Sequence, residues 1–133
     1  MAHIYQASTW SVELPSGWTA ETRPDHVAVR PPSGADVRFT SAVLAGSQLD
    51  ATAWVEAAAH FDRVKRRRVD AVSCGDFRGY ETGFTEDGRH VHGWALAAGE
   101  LPLDVTYRGP DAPALIDVAS LSRALATLRR AAG

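Results

Sequence analysis

Between Gly75 and Gly109 the chain alternates apolar and polar residues in three successive runs, and this pattern predicts a β-meander. Leu101, Leu103, Val105 and Tyr107 alternate with Pro102, Asp104, Thr106 and Arg108, as in a strand with one buried face. Upstream, Trp94, Leu96 and Ala98 share a face, and Gly99-Glu100 is short enough for a hairpin turn. Asp87-Gly88, between Phe84 and Val91, is the strongest short hairpin signal in the chain, because a type I′ turn needs positive φ at both central residues. The first of the three strands is less regular. Phe77, Tyr80 and Phe84 do not keep one parity, and a bulge near Gly79 would reconcile its two halves.

The remaining pattern is read in order. Trp10, Val12 and Leu14 alternate with Ser11 and Glu13 as a first strand, which Pro15-Ser16-Gly17 stops. After a loop around Arg23-Pro24-Asp25, His26 to Arg30 is a second short strand. Pro31-Pro32-Ser33-Gly34 is a turn. Asp36 to Leu44 is a third strand, with Val37, Phe39, Ser41 and Val43 on one face. The period changes after Gly46-Ser47. From Leu49 to Val64, apolar residues at Ala51, Trp54, Val55, Ala58 and Phe61 form one helical stripe, with Asp50 as N-cap and Glu56, His60 and Arg63 on the other side. Lys65 to Cys74 is a long strand leading into the meander. After it, Asp111-Ala112-Pro113 starts a second helix, with Asp111 as cap and a stripe of Leu115, Val118, Leu121, Leu125 and Leu128. Arg129 and Arg130 fall in its last turn, where positive charge suits the helix dipole, and Gly133 ends the chain.

The predicted order is β-β-β-α-β-β-β-β-α in one domain spanning residues 1–133. Runs of consecutive strands with segregated helices imply the α+β class: a mainly antiparallel sheet of about seven strands between two helices. The alternating βαβ order of a doubly wound nucleotide-binding fold is not present.

Several of these pieces together resemble the DcrB/PsbP-like group. They are Leu14-Pro15-Ser16-Gly17-Trp18 closing the first strand, the run Val37 to Ala42, and the helix bearing Trp54. The later pieces are Gly79-Tyr80, the strand bearing Trp94, the strand ending Leu103 to Tyr107, and a closing Leu-rich helix. The resemblance covers nearly the whole chain and implies an antiparallel sheet flanked by helices, a PsbP-like α/β/α sandwich. That group is mostly non-enzymatic: a photosystem II extrinsic subunit, a nuclear-transport GTPase-binding factor, bacterial lipoproteins, and EagR-type chaperones that hold effector transmembrane segments for type VI secretion. The sequence departs from the lipoproteins in lacking a signal peptide and a lipidated Cys, and it is nearest in size to the small cytoplasmic chaperones. No functional motif carries over from any of them.

Composition narrows the classes further. At 133 residues, 45% hydrophobic and 23% charged, the chain can bury one sizeable core. A formal net charge of −2 gives no bulk attraction to nucleic acid or anionic membrane. The single cysteine, Cys74, allows no intrachain disulfide and reads as a small core residue. The opening MAHIYQASTW has neither a basic nor an apolar signal region. No apolar run approaches the roughly 18 residues of a membrane span, so a cytoplasmic location is expected.

Candidate chemistry is sparse. His90 and His92 lie two apart on a strand and point to one face with Trp94. As zinc ligands they would need partners, for which Asp87, His60 and Cys74 are the nearby types. Two half-exposed strand residues is the simpler reading, and no metal or other cofactor is expected. The basic residues Arg63, Lys65, Arg66, Arg67 and Arg68 would split between the two faces of an extended strand and have no aromatic platform, so nucleic acid is not expected. There is no G-x-S-x-G, H-E-x-x-H or P-loop, and Glu86-Asp87 reads as a turn; no catalytic residue is assigned. Trp10 and Trp54 fit buried positions. Trp18, just after a turn, and Trp94, beside the histidines, are candidates for a binding surface, although core packing is the better reading of a tryptophan. These observations favour a non-enzymatic domain that binds a protein or apolar peptide segment, as an EagR-like adaptor or chaperone and as a homodimer. Its candidate binding residues are Trp18, His90, His92 and Trp94. A small-ligand-binding domain with a pocket near Trp18 or Trp94 is the alternative, and a metal-dependent enzyme using the two histidines is a weaker one.

Overall fold

A computed structural model of the protein describes residues 2–41 and 50–131. The meander is its centre. Strands β7 (Phe77–Glu86), β8 (Arg89–Ala98) and β9 (Leu101–Pro110) are ten residues each and pair antiparallel along their whole length. Asp87 and Gly88 both have positive φ, 54° and 74°, as the hairpin requires. The register between β7 and β8 runs unbroken from Arg78 opposite Ala97 to Glu86 opposite Arg89, so the bulge expected near Gly79 is absent. The glycine has another reason. The β8 backbone comes so close that a Cβ at position 79 would lie 1.8 Å from the Ala95 carbonyl oxygen. The mixed parity of β7 arises because both of its faces are covered, Phe77 packing on one side and Tyr80 and Phe84 on the other.

The meander extends into a seven-stranded antiparallel sheet. Beyond β9 lie β5 (Asp36–Thr40), β4 (Val27–Arg30) and β3 (Thr19–Thr22), and beyond β7 lies β6 (Arg68–Cys74), an edge strand. Seven strands were expected, but with different membership. Trp10–Leu14 (β2) leaves this sheet and forms a second one between β1 (His3–Gln6) and β10 (Arg129–Arg130). The α+β class stands, built from two antiparallel sheets and two helices. The three unforeseen strands, β1, β3 and β10, have little or no buried apolar alternation. Backbone pairing with a better-patterned neighbour forms them. The expected continuation of the third strand to Leu44, the turn at Gly46-Ser47, Leu49 and Gly133 lie outside the described residues.

Helix α1 (Ala51–Val64) has Asp50 as its N-cap, the carboxylate accepting from the Ala53 amide at 2.7 Å. It buries Ala51, Val55 and Ala59 against one sheet face, so its stripe is rotated from the one expected, and Phe61 faces outward. Helix α2 (Asp111–Leu125) covers the opposite face with the small sheet. Pro110 takes the N-cap position, and Asp111 is the first helical residue, not the cap. Ala114, Asp117, Leu121, Ala124 and Leu125 point inward, while Leu115 is exposed. The helix is turned this way by Asp117, whose carboxylate accepts from the Tyr107 hydroxyl at 2.8 Å and from Ser33. Arg129 and Arg130 are not in its last turn. The chain leaves the helix after Leu125, buries Leu128, and pairs with β2, with the Asp76 carboxylate accepting from the Arg130 amide at 2.9 Å.

The main core lies between the sheet and the α2 side. Trp10, Leu14, Phe39, Phe77, Trp94, Leu96, Tyr107 and Leu121 are fully buried there, and Trp10 stacks on Phe39 at 5.1 Å. No helix among the described residues is long and apolar enough to cross a membrane.

Because β8 leaves no room for a Cβ at position 79, Gly79→Ala is expected to destabilise the fold by about 3 kcal/mol. Chemical denaturation checks this, and a loss below about 1 kcal/mol would mean that β8 can retreat.

Candidate functional site

The alternation of β8 places His90, His92 and Trp94 on one face, as their spacing requires. The imidazole rings lie 5.7 Å apart, and the His92 ring lies 4.5 Å from Trp94. Their surroundings are a recess of about 260 Å³ bounded by Arg68, Asp70, Glu81 and Gly83 at the open end of the sheet. The His92 Nε2 pairs with the Glu81 carboxylate at 2.9 Å. Its Nδ1 is buried without a hydrogen-bond partner, over Gly83, where a Cβ would come within 2.8 Å of it. His90 is held below the usual imidazole range, first by burial and then by the neighbouring His92, with Asp111 opposing.

The other suggested ligands do not converge on this pair. Asp87 is in the hairpin turn, His60 is exposed on α1, and Cys74 is buried at the far end of β6. Burial, with a smaller push from the Glu81 charge, raises the Cys74 thiol to about 12. Among the described residues no group of three His, Cys, Asp or Glu side chains could hold a metal ion.

Of the tryptophans, Trp10, Trp18 and Trp94 are core, the reading favoured for each, and Trp54 departs from it. Trp18 is 6% exposed and Trp94 1%, both part of the core, whereas Trp54 is only half-buried. Trp18 is turned inward by the Pro15–Trp18 turn, whose amide-to-carbonyl bond is 3.2 Å and whose Gly17 has φ of 85°. Neither buried tryptophan can offer its ring to a partner.

Two cavities on the α1 side were not anticipated. Trp54, Ala58, Thr82, Gly93 and Asp104 line one of about 200 Å³ between helix and sheet. The Thr82 Oγ1 is buried without a partner, and burial pushes the Asp104 carboxyl up to about 6. Asp104 occupies a polar position in the alternation of β9, and the alternation predicts solvent for it. Only the placement of α1 covers it.

The larger cavity is a groove of about 430 Å³ between the first turns of α1 and the edge of the sheet. Thr52, Val55 and Glu56 form its helix wall. Ala71, Val72 and Ser73 of β6, Tyr80 of β7 and Ala97 of β8 form its floor. The Tyr80 hydroxyl donates to Glu56 at 3.0 Å, and the Arg63 guanidinium lies 5.2 Å over its ring. As the outer strand of the sheet, β6 carries backbone donors and acceptors with no neighbouring strand among the described residues.

The basic run is not an extended strand. Arg63 belongs to the last turn of α1, Lys65 caps it, and Arg66 adopts φ of 62° before β6 begins at Arg68. Aromatic rings interleave with it after all: Arg67 lies 3.7 Å over Phe84, and Lys65 lies 5.5 Å from Phe61.

No protein-family model and no curated protein sequence matches the chain. Solved structures do. A crystal structure from Bacteroides thetaiotaomicron superposes over 92% of this chain with a TM-score of 0.61 at 18% identity, and the chain spans 45% of that structure's length. The likeness is one of fold alone. The solution structure of cyanobacterial PsbP (CyanoP) from Synechocystis sp. PCC 6803 aligns over 98% of this chain and 92% of its own, at 12% identity and a TM-score of 0.39.

The buried Asp104 makes stability depend on pH. Its folded pKa of about 6 lies above the ordinary 3.8, so the folded state holds a proton between these values that the unfolded chain has lost. This contribution therefore favours folding at low pH and is lost as pH rises through 6. Asp104→Asn is expected to raise stability at pH 7 by on the order of 2 kcal/mol and to flatten the slope between pH 4 and 6. Urea denaturation across that range checks both, and an unchanged slope would remove Asp104 as its cause.

Proposed function

We propose that the protein is a non-enzymatic cytoplasmic domain that binds an extended peptide or protein segment along the groove between α1 and β6. The observation that carries this reading is the 430 Å³ groove beside an edge strand without an outer neighbour. An added strand would pair with the free backbone groups of β6, and alternate side chains would enter the groove against Val55, Ala71 and Ala97. Backbone pairing supplies affinity for many sequences, and the apolar lining selects apolar side chains at every second position. An EagR-like adaptor or chaperone that shelters an apolar segment of a secretion effector is the most concrete form of this reading. The family pattern in the sequence supports that form, and the groove supports the more general one.

The alternative of a small-ligand domain has its own support in the Trp54, Thr82 and Asp104 cavity. Its unpartnered Thr82 hydroxyl and the Asp104 carboxyl would recognise a small polar molecule, and its size of about 200 Å³ limits what could enter.

The test is peptide selection against the intact chain, followed by titration of isotope-labelled protein. Shift changes are expected at Ser73, Val72, Tyr80 and Thr52. Thr52 is exposed and lines the groove, so Thr52→Trp should fill it without disturbing the core and weaken the selected peptides at least about tenfold. Peptides that bind Thr52→Trp as well as the parent, or that shift residues only around Trp54 and Asp104, would refute the groove.

A further inference from the structure

Where α1 turns into β6, two apolar side chains stand outward among cations. Phe61 and Val64, one helical turn apart, are 56% and 65% exposed. Arg63, Lys65 and Arg66 are exposed around them. Among the described residues these three form no ion pair, whereas Arg68 pairs with Asp70 at 3.0 Å on the opposite sheet face, beside the histidines. Arg67 is committed elsewhere, to Asp62 at 2.9 Å and to the Phe84 ring. Three cations therefore remain around an apolar pair that stays exposed among the described residues.

We propose that this corner docks on the surface of an anionic lipid bilayer. Phe61 and Val64 enter the headgroup region, and Arg63, Lys65 and Arg66 meet lipid phosphates. Apolar tips ringed by exposed cations suit a surface that is negative outside and apolar a few ångströms further in. Single-stranded nucleic acid fits less well, because it needs flat aromatic faces for base stacking. Here the rings are already occupied by cations, Phe61 by Lys65, Phe84 by Arg67 and Tyr80 by Arg63, and Val64 offers no stacking surface. The net charge of −2 does not oppose this docking, because charges beyond about 10 Å are screened at ordinary salt and the local charge decides. Glu86 and Asp87 end the β7–β8 hairpin at the same end of the sheet, so the bilayer meets the outer flank of α1 and not the hairpin tip.

Vesicle flotation of the intact chain tests this, with phosphatidylcholine alone and with added phosphatidylglycerol. Binding is expected only to the anionic vesicles and should fall as salt rises. The triple variant Arg63→Gln, Lys65→Gln, Arg66→Gln should lose about a hundredfold in partition, at about fivefold per cation. Phe61→Ser with Val64→Ser should lose about tenfold. Both sets lie at exposed positions, and unchanged melting confirms that they fold. A polarity-sensitive fluorophore on Phe61→Cys provides a second readout, since buried Cys74 does not compete for the label. Its emission should shift to the blue on anionic vesicles. No vesicle binding by the folded parent, equal binding by the variants, an unshifted label, or displacement from vesicles by oligouridylate that also binds the Phe61→Ser variant would each overturn the proposal.

Discussion

The carboxylate of Asp117 is the point from which one half of the molecule is oriented. It is 8% exposed, and both of its partners come from the sheet side: the Tyr107 hydroxyl of β9 and the Ser33 hydroxyl of the β4–β5 turn. A buried charge without such donors would be costly. Keeping both bonds fixes the rotation of α2 about its axis. That rotation places Ala114, Leu121 and Leu125 in the core and leaves Leu115 and Ile116 outside. Burial, with the hydrogen bond it donates to Asp117, drives the Tyr107 hydroxyl well above its ordinary range, so it keeps its proton at neutral pH and remains a donor.

The other face of the sheet is built more thinly. Helix α1 approaches it through Ala51, Val55 and Ala59, small side chains that bury little area per residue. Under the helix lie Asp104 and the unpartnered Thr82 hydroxyl in place of an apolar core. A helix seated so lightly leaves space along its flanks, and both the groove at β6 and the cavity at Trp54 occur there. The division of labour follows from the packing: the α2 side holds the fold together, and the α1 side presents surface. Phe61 and Val64 project from the last turn of the same helix and stay exposed.

Much of the fold was legible in the sequence. Period-two runs gave β2, β4, β5, β8 and β9, the Asp87-Gly88 turn pinned the meander, and Asp50 marked the start of α1. Little of the candidate site was. His90 and His92 do share a face, but the partners proposed for them are dispersed. Trp18 and Trp94, weighed as binding residues against the better reading of core, are core, and Trp54, read as core, has accessible surface. The groove and the covered Asp104 left no motif, because each is made of residues far apart in the chain; the basic run was visible, but its turn reads as strand.

Local alternation and turn chemistry depend on neighbours within a few residues, so the sequence by itself determined the meander, the two helices, the α+β class and which strand positions alternate. It placed most of each helix's inward stripe, Ala51 and Val55 in α1 and Val118, Leu121 and Leu125 in α2. It did not give the exposure of Phe61 and Leu115 or the burial of Ala59, Ala114 and Asp117, the last held by its hydrogen bonds to Tyr107 and Ser33. Nor could it separate β2 from the main sheet or form β1, β3 and β10, whose pairing partners are supplied by other parts of the chain. Tertiary packing decided these points, since side-chain burial and backbone pairing over long sequence separations are settled only when the whole core closes.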